Sequence, residues 1–415
     1  MLGVVLGRAP VALAHAALLR ADPADLCLLP GGESLPADTA VCRTGTVLSE
    51  APKSVELLFS EPVQPIGRGL RVVGPDGRRV DHGAVSVIGA RVGVAVDAHP
   101  VGTYRVVWSV ISPDTHPEFG TMAFSVRQPG GIVAGTAPVS GTPGAWGTAL
   151  GALAHVLHFA GYALGFGVFA AAWLAGEGGA APEPVWRALG IGIVLLLAAE
   201  PVALVAESLS LGALSGADPA VMGAVLDSSF GRVLAQRLAA PILLWVFSGA
   251  IRSGALRAAW TVPLLGVALA FIDGEAAHAA GAHPAWWGFG VNTVHVCAMG
   301  LWAGTLAFVM LPRSAPRSSQ AWRISSRVVA PAAIAAAAAT GTVMAFQHLA
   351  GLRDLVANPY GRTLAVKVGA VIAAAVFGWL GVRGSVPRLL RWEAAALLIV
   401  LALAGLLVLQ RPPVP

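Results

Sequence analysis

Charged side chains are scarce in this sequence: they make up 12% of its 415 residues, against 56% hydrophobic ones, with a mean hydropathy of +0.73. A chain so poor in charge is not an ordinary soluble enzyme and reads as a membrane protein. Also missing are a G-x-x-x-x-G-K-[ST] phosphate loop and any nucleotide-binding domain between apolar segments, which argues against ATP-driven pumping. No Ser/His/Asp or zinc-hydrolase constellation rises above background, so no enzyme activity is expected. Cysteine is limited to three residues, with Cys27 and Cys42 close together in a polar region and Cys297 inside an apolar run. If the polar region is exported, a Cys27–Cys42 disulfide is favoured, with thiolate metal ligation as the alternative. The net charge of +5 and pI near 9.6 do not point to nucleic acid, because the arginines are spread over short loops between apolar segments, as the positive-inside rule describes.

What is present divides in two. Residues 1–14 carry one arginine, a short apolar stretch and Ala12-Leu13-Ala14, which fits a signal peptide cleaved to expose His15. Residues 15–127 read as a soluble domain. Short β-type runs, SVELLFS, GLRVVG, AVSVIGARVGVAV, GTYRVVWSVIS and GTMAFSV, are separated by turns such as Pro75-Asp76-Gly77. That spacing predicts an antiparallel, all-β Greek-key sandwich of cupredoxin or immunoglobulin type. Residues 128–147 are rich in Gly and Pro without periodicity and read as a linker.

Residues 148–411 hold eight apolar segments of spanning length, near 148–174, 187–208, 230–251, 257–273, 288–311, 326–349, 361–382 and 391–410. With the β-domain outside, the arginines at 187, 252, 257, 313, 317, 323, 327, 383, 388 and 391 fall in or beside inner loops. A 4+4 parallel repeat is also suggested, with chance similarity among Ala/Gly/Leu-rich helices as the alternative. FGRVLAQR at 230 matches YGRTLAVK at 360, setting Arg237 opposite Lys367, and HFAGYALGFG at His158 matches HVCAMGLWAG at His295.

His15-Ala-Ala-Leu-Leu, Ser60-Glu61-Pro62-Val63, Gly74-Pro75-Asp76-Gly77-Arg78, Gly102-Thr103-Tyr104 and Ser112-Pro113-Asp114-Thr115-His116-Pro117 resemble the CopC copper-binding family. The membrane part resembles CopD, so the chain looks like a CopC–CopD fusion. Thr115 stands where the family's Asp-Gly-His-Pro motif has glycine, and the Cys27–Cys42 region departs from the family's compact N-terminus. The resemblance implies a Cu(II) site of His15, His116 and Asp114, with Glu61 a weaker ligand. Coordination chemistry agrees: an N-terminal amine and imidazole chelate one Cu(II), and a second imidazole and a carboxylate complete a tetragonal N/O set. Since the amine must lose a proton (reference pKa near 8), affinity falls at low pH. His82 and His99 lie near turns and read as surface residues. Met122 is the β-domain's only methionine, which speaks against a separate thioether site there.

Ionisable and soft residues within apolar helices are functional candidates by default: His155, His158, Glu200, Glu207, His295, Cys297, Met299, Met344 and His348. His295/Met299 and Met344/His348 are each four apart and share a helical face, and a His with a Met suits Cu(I). The outer loop DGEAAHAAGAHP adds Asp273, Glu275, His278 and His283. The inner half offers almost no such residue, Cys297 reads as packing, and Arg237 and Lys367 are expected to snorkel to the outer interface. The expected function is capture of Cu(II) outside a bacterial inner membrane and delivery to the membrane domain for import or resistance. Alternatives are a redox protein with a b-type haem between His158 and His295, or a copper sensor or reservoir without transport.

Overall fold

A computed structural model describes residues 18–23, 47–111, 117–128, 145–177, 181–212, 219–275, 285–311, 320–349, 351–384, 387–410 and 412. His15, Cys27, Cys42, Asp114, His116, His278 and His283, together with the signal segment and nearly all of the linker, lie outside the described residues.

Eight strands form two four-stranded sheets. They are β1 Leu18–Asp22, β2 Val47–Leu48, β3 Ser54–Phe59, β4 Gln64–Val73, β5 Asp81–Ile88, β6 Arg91–Val96, β7 Gly102–Ile111 and β8 Pro117–Val126. The sheet orders are β1-β3-β6-β5 and β2-β8-β7-β4. Period-two alternation decides which side chains enter the core: Val55, Leu57 and Phe59 of β3 face Tyr104, Val106 and Val110 of β7 across the sandwich. Gly120 makes room for the indole of Trp108, since a Cβ there would sit 2.2 Å from the ring. The expected turn forms at Gly74–Arg78, with Asp76 Oδ1 accepting from the Arg78 amide and Gly77 at φ +77°. One expectation is corrected: the sandwich is not wholly antiparallel, because β2 runs parallel to β8. A two-residue strand carries no period of its own, so neither β2 nor its direction was legible.

The second part is helical: α1 Ala145–Tyr162, α2 Val168–Leu174, α3 Glu183–Gly212, α4 Pro219–Leu226, α5 Ser229–Arg252, α6 Thr261–Glu275, α7 Ala285–Met310, α8 Gln320–Ile324, α9 Ala330–His348, α10 Asp354–Ala357, α11 Pro359–Arg383 and α12 Pro387–Val408. Five-residue π-helical segments join α1 to α2 and α8 to α9. Eight of the resulting rods are long and apolar enough to cross a membrane, at 146–174, 183–209, 230–252, 257–274, 286–310, 320–348, 359–383 and 388–408. They match the eight apolar runs to within a few residues.

Some of the positions that the suggested repeat pairs have similar surroundings. Both [Phe/Tyr]-Gly-Arg helices begin with a glycine pressed on the backbone of the short helix before it: a Cβ at Gly231 would lie 2.0 Å from Leu226 O, and one at Gly361 within contact of Asp354 O. The quasi-equivalent glycines Gly167 and Gly304 meet where the two halves join, a Cβ on Gly304 falling 2.2 Å from the Gly167 carbonyl carbon. Only hydrogen side chains permit so close a crossing, the usual device where helices pack in lipid.

The β-domain also touches the helices. Ile66 of β4 and Ile111 of β7 are buried in one cluster with Val225 of α4, and Leu204 and Phe230 pack against it.

Candidate functional site

Backbone topology brings the sequence-predicted copper elements to one end of the sandwich. The chain enters β1 at Leu18, opposite Phe59, two residues before Glu61. Half-buried Glu61 lies in the turn that leads into β4. At the same end Gln64 pairs with Ile111, and Ile111 pairs with Pro117, so residues 112–116 connect β7 to β8. These described strand ends share one end of the sandwich, and of the four expected ligands only Glu61 is itself described. It is this end, through Ile66 and Ile111, that rests on the helical domain. By contrast His82 is exposed on β5 and bonds Asp97 (Nε2···Oδ2 3.0 Å). That bond holds the Asp97 carboxyl below its usual range, and His99 is exposed, so both histidines are surface residues.

Four of the membrane candidates converge. His295, Met299, Met344 and His348 all line a cavity of about 160 Å3 between α7, α9, α11 and α12, walled by Phe159 and Tyr162 of α1 and by aliphatic side chains of α12. The cavity extends from Leu407 and Val408 near the end of α12 inward to Leu397, about 16 Å at 1.5 Å per residue. Tyr360 and Lys367 of α11 also line it, and among the described residues no carboxylate does. His295 Nδ1 lies 3.0 Å from Thr340 Oγ1, whose own proton goes to Ala336 O (2.7 Å). The threonine oxygen therefore accepts from Nδ1–H, which leaves the lone pair of His295 on Nε2. At the C-terminal end of α9 His348 Nδ1 lies 3.3 Å from the Tyr360 hydroxyl.

His158 is held differently. Its Nδ1 meets Glu200 Oε1 (3.3 Å) and its Nε2 meets Asp273 Oδ2 (3.0 Å), while Arg237 Nε donates to Asp273 Oδ1 (2.9 Å). These groups are nearly all buried, and both nitrogens of His158 are occupied by carboxylates, an arrangement that suits a structural ion network and leaves neither nitrogen for a haem iron. Two expectations are corrected here. Arg237 does not end free at an interface, because Asp273, read from sequence as a loop residue, belongs to α6 and pairs with the guanidinium. Lys367, its repeat counterpart, likewise turns to the cavity rather than the interface.

The remaining candidates stay apart. His155 Nδ1 bonds Gly151 O of its own helix (2.8 Å). Glu207 is half-buried on α3, two turns beyond Glu200. Cys297 neighbours the Tyr162 hydroxyl (Sγ···O 3.4 Å), which itself donates to Gly266 O, and it does not line the cavity. Sequence reasoning missed Glu393, a buried carboxylate in the first two turns of α12 whose Oε1 accepts from Trp302 Nε1 (2.9 Å) and which packs on Gly378. Its place two residues after Arg391, at the edge of an apolar run, made it look interfacial.

Comparison with known proteins addresses the first part of the chain. Residues 38–127 match the CopC domain family. Copper resistance protein C of Escherichia coli is 32% identical over 137 residues, 30% of this chain and 91% of that protein. The crystal structure of CopC from Methylosinus trichosporium OB3b matches at 21% identity over 29% of this chain and 99% of its own, with a TM-score of 0.20. Through its N-terminal domain, this chain belongs to the CopC family of copper-resistance proteins.

Proposed function

We propose that the chain captures Cu(II) outside the bacterial inner membrane at a site built from His15, His116 and Asp114, with Glu61 nearby, and passes copper to a CopD-like membrane domain that carries it without nucleotide hydrolysis. One observation carries this reading. The strand ends that flank those residues in sequence, at Leu18, Phe59, Ile111 and Pro117, belong to the end of the sandwich that packs, through Ile66 and Ile111, against Val225 of α4. An ion released there need not cross bulk solvent. The arginine-rich loops at the opposite end of the helices support an outside position for the β-domain, and cleavage before His15 with a Cys27–Cys42 disulfide suits an exported domain.

The test joins N-terminal sequencing and metal analysis of the mature protein to copper uptake by cells carrying the full chain. Mature protein is expected to begin at His15 and to bind one Cu(II). His116→Ala, or one residue added ahead of His15, is expected to abolish that binding and lower uptake. Uptake no greater than that of cells lacking the chain, with the outer site intact and loaded, sinks the transport reading.

A further inference from the structure

The four cavity donors do not lie at one level. Thr340, the partner of His295, sits one turn below Met344 on α9, and Met344 sits one turn below His348. Met299 continues one turn below His295 on α7. From the outer rim inward the order is therefore His348, Met344, His295, Met299, each step about 6 Å at 1.5 Å per residue. Below Met299 the α7 lining ends at Ala303, and Trp302, fully buried and bonded to Glu393, belongs to the core cluster that includes Leu397.

We infer that His348, Met344, His295 and Met299 form a ladder of alternating imidazole and thioether donors that takes a soft monovalent ion, Cu(I), from the outer rim of the helical domain to mid-depth. The inference rests on the delivery reading above and names where the delivered copper goes: each Cu(II) ion from the outer site accepts one electron from an external quinol, which is oxidised to the semiquinone with loss of a proton, and enters the ladder as Cu(I).

The donor set decides the ion. Thioether and neutral imidazole favour Cu(I), whereas Zn(II), Ni(II) and Cu(II) are better served by sites with more nitrogen and oxygen donors. Charge points the same way. Among the described residues no carboxylate lines the cavity, and Lys367 stands two turns below Tyr360, which places it near the His295 rung. Coulomb repulsion scales with ionic charge, so this cation disfavours a divalent ion twice as strongly as a monovalent one.

The repeat shows why only one half holds such a ladder. His158 and His295 are equivalent, and each turns Nδ1 to the next long helix, to Glu200 or to Thr340. In the first half Asp273 then closes on Nε2 and neutralises Arg237. In the second half α12 presents only Leu397, Val400, Leu401, Ala404, Leu407 and Val408 to the cavity. No carboxylate on α12 takes the place of Asp273, and open space remains where the first half is filled. Thr340 acts through His295, as hydrogen-bond partners of metal-binding histidines do, by fixing tautomer and ring orientation.

The experiment loads the purified full-length chain, in lipid nanodiscs, with Ag(I) as a redox-inert probe for Cu(I), and separately with Zn(II). Binding is followed by competition titration and by X-ray absorption at the silver edge, with Cys297→Ser as the background so that the Cys297 thiolate does not contribute sulfur. The wild-type cavity is expected to show nitrogen and sulfur around silver. Met299→Leu with Met344→Leu, which conserves volume, should remove the thioether sulfur and weaken binding at least as much as loss of a ligand's hydrogen-bond partner does, about 10–100-fold. Thr340→Val should weaken it by about 10–100-fold, and Thr340→Ser, which keeps the acceptor, should restore it. Lys367→Met should strengthen Ag(I) binding and admit Zn(II). Thioether sulfur retained in the double leucine variant, equal Zn(II) and Ag(I) affinity in the wild type, or a co-purified organic molecule filling the cavity and blocking silver would each overturn the ladder. Silver held by the ladder in a protein that gives no cellular uptake would instead overturn the transport reading and leave the ladder standing.

Discussion

Asp273→Asn tests the ion network that binds α1, α5 and α6 together. The native carboxylate receives Arg237 Nε at 2.9 Å and faces His158 Nε2 at 3.0 Å, with only 6% of its side chain exposed. Asparagine conserves volume, so no cavity term enters. It removes the charge and leaves the guanidinium, 17% exposed, without its counter-ion. Breaking a buried pair by removing one partner costs about 3–5 kcal/mol, and one acceptor oxygen kept by asparagine places the expected loss near the lower end. Replacing both partners with groups that need no charge is near neutral, so Asp273→Asn with Arg237→Met should recover most of the loss, a coupling of about 2–3 kcal/mol. The assay is reversible unfolding of the full-length protein in mixed micelles, run as a double-mutant cycle. A loss below about 1 kcal/mol in the single variant, or a double variant no better than the single, would refute the assignment of the network as a structural staple.

Further outcomes follow from other contacts. Gly304→Ala should force α7 away from the Gly167 backbone and destabilise the helical domain by about 1–3 kcal/mol, whereas Gly249→Ala, with nothing within 4 Å of its Cβ, should stabilise α5 by up to about 1 kcal/mol; equal effects in micelle unfolding would contradict the crossing. Gly120→Ala should drive the Trp108 indole from its edge-on packing with Phe59 (centroids 5.1 Å apart) and cost about 1–3 kcal/mol, read as faster proteolysis within the β-domain. For Asp81, burial alone would raise the carboxyl, but the Arg79 side chain outweighs it, helped by the Val72 and Gly83 amides, and the folded value lies below the usual one. Its stabilisation is therefore present above the unfolded aspartate value of about 3.9 and is lost as pH falls through the folded one. Hydrogen exchange at the Val72 amide should show wild type better protected than Asp81→Asn at pH 6, the gap closing in acid; a gap unchanged with pH would be evidence against it.

Much of this protein was legible because each part obeys a single period or threshold. Apolar runs of spanning length marked the eight long helices to within a few residues, and alternation in SVELLF and GTYRVVWSVI marked β3 and β7. The His-Met pairs were visible as residues four apart on one face. Less legible were features whose cause lies elsewhere in the chain. β2 exists because β8 offers it an edge. Asp273 reads as a loop residue until α6 is seen to carry it into contact with Arg237 and His158, and the same contact defeats the expectation that Arg237 snorkels.

The sequence by itself determined the division into a β-domain of the CopC family and a helical membrane domain, and the short list of polar groups inside the second. Only the tertiary structure sorted that list. It closed His158 between two carboxylates, set His155 and Cys297 aside, and aligned His348, Met344, His295 and Met299 along one cavity. Spacing along a helix fixes which residues share a face, but which faces meet, and whether a carboxylate waits across the gap, depends on helices more than a hundred residues apart in sequence.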